Sequence, residues 1–108
     1  MLKYNQINLS EELYMKMDVN LDYLAKALLT LKTEKECVAF LEDICTPQEL
    51  KAISQRLTVA KLLRENRVYT EIVEETGAST ATISRVNKTL NYQAAGGYEI
   101  VFDRLKDK

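Results

Sequence analysis

The stretch "VYTEIVEETGASTATISRVNKTL", Val68 to Leu90, sets a glycine between two short amphipathic runs. In the first run Ile72 and Val73 form the apolar centre. Gly77 follows, and glycine takes the positive φ that ends a helix without steric cost. Ser79 is then a suitable N-cap for the second run. This is helix-turn-helix spacing. On a wheel of 100° per residue, Ile83, Val86 and Leu90 fall within about 60° of one another and turn inward. Ala81, Ser84 and Lys88 lie on the opposite side, with Thr80 at the exposed start.

Those outward residues suit the major groove of duplex DNA. Ser79, Thr80 and Ser84 offer hydroxyls that donate or accept, Ala81 can touch a thymine methyl, and Lys88 can reach a phosphate. Tyr69 and Thr70 begin the preceding helix, where free amides and the helix dipole favour an anion. Arg64 and Arg67 flank the same edge and are expected on phosphates.

The formal net charge of −1 conceals a segregated distribution. Residues 1–49 carry five Lys against nine Asp or Glu, a balance of −4, whereas residues 50–91 carry seven Lys or Arg against four Glu, a balance of +3. Local surface charge is what a phosphate feels within a Debye length.

Upstream, cap signals divide the chain into helices with no strand pattern. Thr46-Pro47-Gln48-Glu49 combines an N-cap Thr, Pro at the first helical position and Glu at the third, opening a helix expected to run to about Asn66. Thr33 with Glu36 reads as a second capping box, and Ser10-Glu11-Glu12 as an earlier helix start, with a break near Asp18 to Asn20. Leu21, Leu24, Ala25, Ala27, Leu28, Leu29 and Leu31 cover an arc of about 200°, more than one core needs. That width predicts burial on two sides, as when helices of two subunits interlock; the alternative is a central helix of one compact monomer. With 108 residues the chain is read as a single domain, 1–108, comprising a helical dimerisation core at 10–66, the helix-turn-helix at 68–91 and a C-terminal helix at 96–108. In that last segment Tyr98, Val101, Phe102 and Leu105 follow helical spacing.

Several classes are excluded. The chain has no His, and no acid pair or Ser-Lys grouping replaces the missing general base, so no enzyme is expected. Cys37 and Cys45 are read as two buried, reduced thiols about 12 Å apart along one helix, too far to bridge and too few for zinc. No apolar run approaches the roughly 20 residues that span a bilayer, and the N-terminus lacks a secretory core, so a cytoplasmic protein is expected.

Two arginines stand apart. Arg56 and Arg85 have no carboxylate at i±3 or i±4, and an arginine so placed seeks a planar anion, an aromatic face or a distant ion pair.

Taken together, "CTPQEL", "QRLTVAKLLREN" and "EETGASTATISRVNKTLN" resemble the Trp repressor family, in the order and spacing of the YerC/YecD group of Gram-positive bacteria. The similarity covers roughly residues 20–98. The resemblance implies an all-α, intertwined homodimer with a helix-turn-helix in each subunit, binding a near-palindromic operator with half-sites about 34 Å apart. It assigns base reading to Thr80, Ala81 and Ser84, and further DNA contact to Tyr69 and Thr70. It also matches Thr46, Arg56, Thr82, Arg85 and Thr89 to an effector pocket in which an indole lies between two arginines. Here Val86 replaces a glycine, its branched side chain either entering that pocket or turning into the core, and Thr89 replaces a serine. The expectation is therefore no cofactor; as effector, a different small anion or no ligand at all is favoured over tryptophan, which stays open. The function expected is a DNA-binding transcriptional regulator, a repressor. The competing class is a helical protein–protein interaction module that uses the acidic N-terminal half.

Overall fold

The computed structural model describes residues 20–92 and 95–106. They form six α-helices and no strand: α1 Leu21–Leu29, α2 Glu34–Ile44, α3 Pro47–Arg64, α4 Tyr69–Thr76, α5 Thr80–Asn91 and α6 Gly97–Leu105. The expected helix start at Ser10 to Glu12 lies outside the described residues. Two compact units divide the chain, Met1–Ile44 and Cys45–Lys108. Their boundary falls inside the 10–66 segment, just before the cap of α3.

In the first unit, the Asn20 side chain accepts from the Tyr23 amide at 3.0 Å and starts α1. Thr33 accepts from the Glu36 amide at 3.1 Å, but the Glu36 carboxylate reaches back to the amide of Lys32 rather than of Thr33. Neither α1 nor α2 contains a buried residue.

The cysteine expectation is corrected on two counts. Cys45 lies beyond the end of α2, because the next residue is the extended N-cap of α3 and the two helices cannot run together through it. Cys37 is exposed and Cys45 half-buried, both as free thiols.

The second unit builds its own core. A complete capping box opens α3: the Thr46 hydroxyl accepts from the Glu49 amide at 3.1 Å, and the Glu49 carboxylate accepts from the Thr46 amide at 2.8 Å. The helix ends at Arg64, slightly earlier than expected. Asn66 takes φ 63°, its amide bonds the Leu63 carbonyl, and the Arg67 amide bonds the Leu62 carbonyl. This is a Schellman closure, with Asn in the left-handed position that it tolerates better than most residues. Gly77 turns the next corner at φ 74°, its amide bonding the Val73 carbonyl at 2.8 Å. Val59, Ala60 and Leu62 of α3, Ile72 of α4, Ala78 of the turn, and Ile83 and Val86 of α5 form the buried core. Val73, Leu90, Tyr98 and Phe102 pack around it.

A candidate nucleic-acid interface

The second helix of the pair presents two chemically different sides. Ile83 is fully buried and Val86 nearly so, which fixes the rotation of α5. Thr80, Ala81, Ser84 and Lys88 are consequently exposed. At the start of α5 the Ser79 hydroxyl accepts from the Thr82 amide at 3.1 Å. The amides of Thr80 and Ala81 belong to the donors that every helix start leaves without intrahelical partners. They sit beside the residues read as base contacts.

The start of α4 is different. Its N-cap is Val68, which has no side-chain acceptor, and no side-chain cap bond forms there. The first-turn amides therefore keep their capacity for an external anion. Thr70 is exposed, while Tyr69 is half-buried and packs against the core.

A linkage absent from the sequence reading holds the two helices in register. Gln55 Nε2, on α3, donates to the Thr76 carbonyl at 3.1 Å, satisfying the C-terminal end of α4. The Thr76 hydroxyl donates to the Ile72 carbonyl at 2.7 Å and accepts from the Ala78 amide at 3.0 Å. These bonds tie the turn to the helix beneath it. Helical periodicity alone gives no signal for Gln55, whose partner lies 21 residues away.

The structure engages the two flanking arginines within the chain. Arg64 pairs with Glu99 at 3.0 Å and places its guanidinium carbon 5.2 Å from the centroid of Phe102, which itself stacks on Tyr98. Arg67 donates through Nε to Glu71 at 3.0 Å and through a terminal nitrogen to Glu75. These bonds, Glu71 first and Glu75 second, hold the Arg67 guanidinium above its ordinary pKa. Both cations are thus occupied where the sequence suggested free phosphate contacts. Lys88 has no such pair among the described residues.

Of the residues matched to an effector pocket, Arg56 and Arg85 are exposed and form no ion pair among the described residues. Thr46 caps α3, Thr82 shares a hydrogen bond with Ser79, and the Thr89 hydroxyl donates to the Arg85 carbonyl at 3.2 Å. Val86 lies in the core, one of the two placements open to it. An apolar cavity of about 410 Å³ is lined by Leu57, Thr89, Leu90, Tyr98 and Val101 among others; neither Arg56 nor Arg85 lines it. No helix among the described residues is long and apolar enough to cross a membrane.

Comparison with known proteins gives a consistent result. The family model described as Trp repressor protein matches residues 19–106. The uncharacterized protein YerC of Bacillus subtilis (strain 168) is 49% identical over 87 residues, covering 81% of this chain and 83% of its own. A crystal structure of a TrpR-like protein from Eubacterium eligens ATCC 27750 superposes with a TM-score of 0.74 at 54% identity, covering 79% of this chain and 87% of that one. A Staphylococcus aureus structure carrying a provisional Trp repressor assignment gives 0.76 at 43% identity, covering 82% and 87%.

Proposed function

The chain belongs to the Trp repressor family, and from that premise we propose that it is a cytoplasmic, homodimeric transcriptional regulator that represses by reading a specific DNA sequence. The observation that carries this is the division of α5. Ile83 and Val86 anchor one side in the core, while Thr80, Ala81, Ser84 and Lys88 stand exposed on short or flexible side chains. A helix so mounted enters a major groove without its own bulk preventing approach to base edges.

Selectivity then comes from Thr80, Ala81 and Ser84. Affinity comes from Lys88 and from the uncapped first turn of α4, where Thr70 and the backbone amides meet a phosphate. In a two-fold dimer the second α5 reads a half-site about 34 Å away, one turn of duplex, which makes the operator near-palindromic.

Selection from random duplex DNA by the purified protein at about 0.15 M salt, with and without tryptophan, tests the assignment. Recovery of a near-palindrome without tryptophan is expected. Enrichment only with tryptophan would instead give Arg56 and Arg85 an effector to hold. The Thr80→Ala/Ser84→Ala variant should lose base preference yet stay folded, and undiminished discrimination would remove α5 from the groove. A protein that enriches no sequence in either condition would favour the helical interaction module.

A further inference from the structure

We infer that Glu71 and Glu75 hold Arg67 out of contact with DNA, so that the ion-pair cluster on α4 limits the affinity of the proposed DNA-binding surface. This rests on the DNA-binding reading and concerns how strongly that surface grips. The geometry has two parts. The Schellman closure of α3 bonds the Arg67 amide to the Leu62 carbonyl, which fixes the backbone from which this side chain departs. From there the guanidinium turns along α4 and bonds carboxylates at i+4 and i+8, two successive turns of one helix face. Nε and one terminal nitrogen are thereby committed to carboxylates, so a phosphate must compete with Glu71 and Glu75 for the guanidinium.

The position makes the withholding consequential. Arg67 lies two residues before the first turn of α4, the end assigned to the phosphate backbone, and in this class of motif the first helix crosses that backbone. Helix α4 contributes Glu71, Glu74 and Glu75 and no cation of its own. One cation beside three carboxylates therefore serves the helix before it serves a polyanion. Glu71 and Glu75 remain about half exposed, so the pairing is a solvent-accessible contact that competes with phosphate rather than a buried structural bond.

A salt-titration cycle on the full chain tests this, using one selected duplex and four proteins: the unaltered chain, Arg67→Ala, Glu71→Gln/Glu75→Gln, and the triple change. Thermal unfolding of each is followed in parallel. The paired Gln change should steepen the slope of log affinity against log salt by about 1 and raise affinity about 3- to 10-fold, because a released Arg67 displaces one more counterion. The added slope should disappear in the triple change. Arg67→Ala alone should leave the slope unchanged.

A slope flattened by about 1 in Arg67→Ala would overturn the inference, showing that Arg67 already contacts phosphate. So would a paired Gln variant that keeps its fold but gains neither slope nor affinity. An unaltered chain with no salt-dependent duplex binding would overturn the DNA-binding reading together with this one. Normal binding with an unresponsive cycle would overturn only the role of Arg67.

Discussion

Helices α1 and α5 are both amphipathic, yet α5 buries Ile83 and Val86 while α1 buries nothing. In the second unit, α3, α4 and α5 close on one another and take Ile83 and Val86 out of water. In the first, Leu28 is 44% exposed and Leu29 84%. The difference teaches that an apolar stripe states a demand for cover, not the identity of what covers it. The second unit meets the demand internally. For the first, the proposed homodimer supplies the cover from a second copy.

The sharpest way to break this comparison is to truncate each side. Ile83→Ala should destabilise the second unit by about 2–5 kcal/mol in chemical denaturation, since a fully buried branched side chain leaves a cavity that its neighbours fill only in part. That loss should not depend on protein concentration. Leu24→Ala/Leu28→Ala should behave in the opposite way: sedimentation should show dimer weakening of about a hundredfold or more, from about 1.5–3 kcal/mol per large side chain lost from a covered surface. If the double change leaves the association constant intact, α1 is not at the subunit interface.

Smaller effects test the corners that orient α5. Gly77→Ala meets no atom within 4 Å, so its expected cost of about 1–2 kcal/mol is conformational, arising from a side chain forced to φ 74°. A neutral result in thermal unfolding would mean that the turn relaxes. At the low end, Lys61→Met should change stability by no more than about 0.5 kcal/mol, because its pair with Glu65, the cap residue of α3, is solvent-exposed.

What the sequence made legible follows the range of the interaction. The caps at Thr46, Ser79 and Gly77 are written in neighbouring residues, and all three appear as expected. The inward side of α5 was equally readable from spacing. Arg64 was not, because its partners Glu99 and Phe102 come from another helix that periodicity cannot place. Arg67 bonds Glu71 at a spacing open to inspection, but its grip on Glu75 at i+8 is made from outside α4, across the extended N-cap at Val68. The cysteines show a different failure. Placing Cys45 inside a helix overlooked that Thr46, used as a cap, must be extended.

The buried core begins at Val59 and ends at Val86, and only two short turns intervene. Contacts so near in sequence cost little loop entropy to close, and helical architectures of this kind form in microseconds to milliseconds. Meeting a second copy is a concentration-dependent event on a slower clock. If the chain dimerises as proposed, the proposed reading head is complete first and the counterpart is found afterwards. In the proposed dimer, assembly joins two finished heads, and the spacing between them is the last feature of the molecule to be set.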